Sequence, residues 1–172
     1  MEPVSVSVTI EAPRERIFEY LADIANHPEF TDHFLTEWHL TRIESYGAGA
    51  GARFRLKAPF QRFDWADLSF AAVQPPHRLL AVGRGGKFNR DKLWWEWRLD
   101  PVHDGTKVSL TADMDVPFVS DRFIRSFGYR GSLKRNLRKS LKRLAGIIEE
   151  GKGRGERATI GGLSGPAWSG DH

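Results

Sequence analysis

Between residues 37 and 116 the chain is interrupted by turn-forming residues at short intervals, and this spacing limits its fold more than any other feature. A glycine-rich stretch at 47–51, Pro59, Pro75-Pro76, Gly85-Gly86 and Asp104-Gly105 cut it into segments of strand length. They stand too close together for the crossover helices that parallel strands require. The sheet is therefore expected to be antiparallel, with strands over 37–45, 52–58, 62–73, 78–83, 92–101 and 107–116. Asp104-Gly105 is the clearest hairpin turn, since both residues tolerate positive φ.

A further strand opens the chain, where Val4, Val6, Val8 and Ile10 alternate with Ser5, Ser7, Thr9 and Glu11. Pro13 suits a first helical turn, and Ile17, Phe18, Tyr20, Leu21 and Ile24 follow at helical spacing, predicting a helix over 13–25. His27-Pro28 ends it, and Pro28 opens a second short helix through Phe34. Leu93, Trp95, Trp97 and Leu99 oppose Lys92, Trp94, Glu96 and Arg98, and Val108 to Val116 alternate in the same way, so each strand has one apolar and one wet face. In 62–73 the large apolar residues change parity, from Phe63 and Trp65 to Leu68 and Phe70, which predicts a β-bulge near Ala66 or Asp67.

After Pro117 comes the longest helical pattern, with Phe123, Phe127, Leu133, Leu137, Leu141, Leu144 and Ile148 at intervals of three and four. Gly128 and Gly131 predict a kink or break near 128–131. Residues 119–150 hold nine Lys or Arg against three acids, whereas residues 1–118 hold fourteen against seventeen, so the positive charge belongs to this one element. Residues 1–150 form one domain in this reading. Residues 151–172 contain seven glycines and little apolar matter, and are expected to be a disordered tail.

The chain has no cysteine, which removes disulfides, thiolate metal sites and cysteine nucleophiles and suits a reducing compartment. The absence of a signal-like N-terminal segment and of any membrane-length apolar run points to the cytoplasm.

The order of strand, two short helices, six strands and one long helix resembles the helix-grip, START-like (SRPBCC) superfamily, and within it the bacterial polyketide cyclase/dehydrase and lipid-transport-like group. The likeness is carried by Val8-Thr9-Ile10-Glu11-Ala12-Pro13 with Ile17-Phe18-Glu19-Tyr20-Leu21, and by Asp23 with His27-Pro28-Glu29-Phe30. Gly49-Ala50-Gly51-Ala52-Arg53-Phe54, Val108-Ser109-Leu110-Thr111 and the terminal helix complete it, across about residues 3–150. The resemblance implies an α+β fold in which a curved seven-stranded antiparallel sheet and the C-terminal helix enclose a cavity for hydrophobic molecules. The superfamily includes enzymes and carriers, and no catalytic signature of a cyclase transfers onto these residues.

Trp38, Phe54, Phe63, Trp65, Phe70, Trp95, Trp97, Met114, Phe123 and Phe127 are the expected ligand-lining set, because aromatic walls with few polar groups suit a planar or acyl ligand; the alternative for each is core packing. Trp94, on the opposite face of its strand, is either an interaction surface or packed against a basic stem. His27, His33, His39, His77 and His103 lack the close pairing of a metal site, so no metal and no cofactor is expected. His33 or His77 could act as acid or base if it faced the pocket. Asp64 or Asp67 could point inward with Arg42, Arg53 or Arg55 as partner, against the plainer reading of a structural ion pair.

The glycines at 47–51 lie between strands, with no helix N-terminus to receive a phosphate, and read as a mobile hairpin beside the cavity mouth. Arg135, Arg138, Lys139 and Lys142 on the last helix could meet an anionic membrane or an acidic partner, with nucleic acid the lesser expectation. The leading expectation is non-enzymatic binding or transport of a small hydrophobic ligand. The alternatives are a polyketide-type cyclase/dehydratase and a basic-helix module docking on membrane or RNA.

Overall fold

The computed structural model describes residues 2–57, 65–115, 128–153 and 155–164. Seven strands form one curled antiparallel sheet: β1 (Val4–Ile10), β2 (Leu35–Leu40), β3 (Gly51–Leu56), β4 (Trp65–Gln74), β5 (Arg78–Gly85), β6 (Asp91–Val102) and β7 (Gly105–Asp115). Their spatial order is β1-β7-β6-β5-β4-β3-β2, a meander from β2 to β7 with β1 added at the far edge. Helix α1 (Arg14–Ala22), a 3-10 turn (Ile24–Asn26) and α2 (Pro28–Thr31) carry the chain from one edge to the other. The long C-terminal helix α3 (Tyr129–Glu150) packs against β1 and α2.

Period-two patterning decides the faces. Phe54, Leu68, Phe70, Leu79, Trp95, Trp97 and Leu110 are buried on the inner face with Leu137, Leu141, Leu144 and Ile148 of α3. Each large apolar side chain so removed from water contributes about 2–3 kcal/mol before entropy is charged against it. The opposite face carries Arg53, Asp67, Arg84, Lys92 and Glu96. Two irregularities bend the sheet. Register shifts between Thr36 and His39, where Glu37 has φ 53°, and again between Phe70 and Ala72.

Several expectations are corrected in detail. Pairing of β3 with β4 is regular from Gly51–Ser69 to Arg55–Trp65, so no bulge falls at Ala66 or Asp67; Trp65 simply faces outward, and the shift comes four residues later. The first helix stops at Ala22 because Asp23 is extended and its carboxylate accepts from the Ala25 N–H (3.1 Å), starting the 3-10 turn. The β6–β7 turn is displaced by one residue: Val102 pairs with Gly105, and only Gly105 there has positive φ (148°). Gly128, at φ 79°, caps the start of α3, while Gly131 lies inside a continuous helix.

The chain after α3 is not simply a disordered tail. Residues Arg157–Thr159 (β8) and Gly162–Ser164 (β9) form a hairpin packed against β2 and the 3-10 turn, with Ala158 buried. Polar anchors replace the apolar content that composition lacked. Arg157 donates to Asn26 Oδ1 (2.5 Å) and Asp23 Oδ2 (2.6 Å), and the Gly155 N–H donates to Glu29 (3.2 Å).

Candidate functional site

The concave face is an aromatic wall. His27 sits at its centre, with ring centroids 5.1 Å from Phe30, 5.8 Å from Phe70, 6.1 Å from Trp97 and 6.3 Å from Trp38. Trp38 stacks on Phe54 at 4.7 Å, and Phe54 reaches Trp95 at 6.1 Å, so contact runs unbroken from α2 to the middle of β6. Of the expected lining residues, Trp38, Phe54, Phe70, Trp95 and Trp97 all belong to this wall and are buried. Met114 joins the same inner face and is half-buried. Phe63, Phe123 and Phe127 lie outside the described residues.

Trp65 is the correction in this set. It is on the outer face, 38% exposed, with the Arg55 guanidinium 5.4 Å from its ring centroid and His39 at its edge. Asp67 is likewise outside, held by two hydrogen bonds from Arg53 (2.6 and 2.8 Å). The plainer reading of that carboxylate, a structural ion pair, is the one observed, while Asp64 lies outside the described residues.

Burial on the inner face is uneven: Ala66 and Leu93 are buried, whereas a few larger side chains are not, and Val8 opposite Val108 is half-buried. At the end where β4 turns into β5 and β6 into β7, Leu79, Leu99 and Val108 are closed off from solvent. At the end carrying Leu56, Gly85, Asp91 and Asp115, Leu56 and Met114 are only half-buried, and so is Leu133 from the first turns of α3. Small residues occupy inner positions between them: Ala66, Ala81, Gly83 and Ala112. Asp91 begins β6 in phase with Leu93, Trp95 and Trp97, and is a buried carboxylate at this end, its side chain against Gly86 (φ 70°). The expected strand began one residue too late to include it. One further step of the Trp97-Trp95-Leu93 alternation reaches it.

The polar groups behind the wall are assigned by their partners. His27 Nε2 meets the Leu21 carbonyl at 2.8 Å; a carbonyl only accepts, so Nε2 carries the proton. Burial pushes the His27 pKa down to about 4, outweighing the Leu21 bond and Asp23, so the ring is neutral and Nδ1 is a bare acceptor. Among the described residues His27 Nδ1 and Trp97 Nε1 have no hydrogen-bond partner, a buried acceptor and a buried donor on neighbouring rings. In the sequence His27 reads as a helix breaker, as one of several scattered histidines and as part of the segment that carries the family likeness. Its place before Pro28 gave no sign that four aromatic rings would close over it.

His33 and His77, the expected acid–base candidates, do not face the wall. His33 Nε2 donates to the Asn136 carbonyl (3.0 Å) and Nδ1 accepts from Arg143 (3.1 Å), tying α2 to α3; desolvation is the main cause of its lowered pKa. His77 accepts from Arg14 at 3.0 Å on the surface. The glycine-rich stretch lies at the opposite end of the sheet from Asp91. It is pinned by backbone bonds, Gly47 N–H to Ala22 and Gly49 N–H to Phe70 (each 2.9 Å), so it does not border the half-buried end.

On α3, Arg143 pairs with Asp32 and Arg130 with Glu2. Arg135, Arg138, Lys139 and Lys142 are exposed and make no ion pair among the described residues. Among the described residues no group of three His, Asp or Glu is placed to hold a metal. No described helix is long and apolar enough to cross a membrane.

A family model described as polyketide cyclase / dehydrase and lipid transport matches residues 1–149. None of the curated protein sequences matches the chain significantly. Among solved structures, TTHA0849 from Thermus thermophilus superposes with a TM-score of 0.69 at 17% identity, over 88% of this chain and 99% of the other. KanY superposes with a TM-score of 0.69 at 16% identity, over 86% of this chain and 97% of the other. DynU16, from the dynemicin biosynthetic locus, superposes with a TM-score of 0.60 at 21% identity, over 89% of this chain and 49% of the other. At these identities the likeness is one of fold.

Proposed function

We propose, for a chain that belongs to the polyketide cyclase / dehydrase and lipid transport family, that it binds a small hydrophobic ligand between the concave sheet face and α3. The observation that carries this reading is a group of half-buried apolar side chains at one end of an otherwise largely buried apolar face. Leu79, Leu99 and Val108 are sealed, whereas Leu56, Met114 and Leu133 remain half-buried beside inner-facing Ala66, Gly83 and Ala112. Half-buried apolar side chains on an inner face gain by covering with another apolar surface, and small neighbours leave room for it. Trp95, Phe54 and Met114 would make the ligand contacts, while Trp38, Phe70 and Trp97, packed around His27, form the wall's rigid backing.

Carriage is favoured over catalysis by the chemistry of the wall. On the wall itself the described titratable groups are His27, neutral and ring-enclosed, and Asp91 at the half-buried end, while Tyr20, in contact with Phe30, donates its hydroxyl to the buried Glu29 at the edge of the wall. A cyclase or dehydratase would need an acid and a base placed on one substrate, and Asp91 is the residue to which such a reading would turn. The exposed cations Arg135, Arg138, Lys139 and Lys142 support a subsidiary role for α3 in meeting an anionic surface or an acidic partner.

The test uses the neutral fluorescent probe N-phenyl-1-naphthylamine. The wild-type chain should bind it, and Met114→Trp or Leu56→Trp, which fill the half-buried end, should each weaken binding roughly tenfold at little cost in stability. Unchanged affinity in both variants would place the ligand elsewhere.

A further inference from the structure

The outer face of the sheet, which the hydrophobic-ligand reading leaves unused, carries an unusual arrangement of charge. Across five strands Arg53, Asp67, Arg84, Lys92 and Asp115 stand opposite one another in register. The adjacent row is Gly51, Ser69, Val82, Trp94 and Asp113. Asp67 is already committed to Arg53. Arg84 and Lys92 are direct cross-strand partners, with Cβ atoms about 5 Å apart, an arrangement of like charges that costs stability. Arg84, Lys92 and nearby Arg42 make no ion pair among the described residues.

These side chains surround a groove of about 830 Å³, lined by four cations and a single carboxylate together with Trp94 and Val82. Val82 is 40% exposed and Trp94 is half-buried, so an apolar strip runs beside the cations. Trp94 had stood out in the sequence as the one tryptophan of its strand on the wet side.

We propose that this groove binds a small organic phosphate carrying a planar ring, the chemistry of a nucleoside diphosphate. Arg84 and Lys92 side by side suit a multiply charged group, which would relieve their mutual repulsion; the arginine fork and the lysine point charge both favour phosphate. Trp94 and Val82 supply the surface for a ring. The volume is that of a small-molecule site. Asp113 and Asp115 close the positive field on the β7 side, whereas a nucleic-acid chain would need a longer basic track. The site faces away from the aromatic wall and does not depend on what binds there.

The experiment titrates ADP, inorganic pyrophosphate and adenosine, without divalent metal and at low ionic strength, into the full chain by calorimetry. ADP should bind at least roughly tenfold more tightly than either fragment, and R84Q/K92Q should weaken it roughly tenfold without lowering the melting temperature. Trp94→Leu should weaken ADP while leaving pyrophosphate unchanged. Should that variant fail to fold, amide shifts of Ser69, Val82 and Trp94 on adding ADP to the wild type serve in its place. The proposal is overturned by any of four results: no ADP binding; R84Q/K92Q equal to wild type; ADP no tighter than pyrophosphate; or a single-stranded oligonucleotide that binds and is not displaced by ADP.

Discussion

His27 shows how one residue can join the fold's stability to pH. Its unfolded imidazole takes up a proton near pH 6.5, but the folded ring does so only near 4, because burial opposes the charge. The folded form is therefore fully favoured above pH 6.5 and loses stability as pH falls from there towards 4, by about 3 kcal/mol for this group. Urea unfolding between pH 7.5 and 4.5 should show this loss in the wild type and a smaller one in His27→Gln. Where that variant does not fold, a histidine NMR titration decides, and a His27 pKa near 6.5 in the folded protein would contradict the assignment. The sequence marked His27 as part of the segment that carries the family likeness, but gave no sign of its burial. Its burial depends on Trp38, Phe70 and Trp97, which arrive from three different strands, and such convergence is invisible to local periodicity. Asp91 was legible in principle, because it continues an alternation that ended one residue early. Trp65 was misassigned because aromatic character was weighed above the phase it shares with Asp67 and Ser69.

The elements were read best where one physical pattern dominated. Alternation fixed β1, β6 and β7 within a few residues of their observed ends, and the three-four spacing fixed the C-terminal end of α3, whose expected start near Phe123 lies outside the described residues. Sheet curvature was placed wrongly, since it depends on cross-strand register and not on the hydrophobicity of one strand. Gly83 tests that register directly. A Cβ there would meet the Asp67 carbonyl oxygen across the β4–β5 pair, so Gly83→Ala should cost roughly 3 kcal/mol. Gly146→Ala, in α3 with only Lys152 Cδ nearby at 3.9 Å, should instead gain up to about 1 kcal/mol. Equal effects in urea melts would refute the close approach of β4 and β5. The β8–β9 hairpin escaped notice because it is held by Arg157 and backbone groups, not by an apolar stripe. Removing residues 155–164 should lower stability by about 1–2 kcal/mol, modest because Arg157 stays partly exposed. A truncated chain that unfolds at the same urea concentration would show the hairpin to be a bystander.

At the scale of the whole molecule, the sheet separates two chemistries. Its inner face is aromatic and closed by α3, and its outer face is charged, so an apolar ligand and an anionic one would meet different sides. The seven-stranded antiparallel sheet and terminal helix were legible from the turn spacing and the family resemblance together. The ligand was not, because the inner face has few polar groups to narrow the choice. That same plainness makes the central claim, an apolar ligand on the concave face, open to direct measurement. The protein is purified without detergent, weighed by native mass spectrometry, and then extracted under denaturing conditions. The account predicts a native mass above that of the chain, a hydrophobic small molecule in the extract, and loss of the extra mass in Met114→Trp. A native mass equal to the bare chain, together with no uptake of added apolar probe, would contradict it.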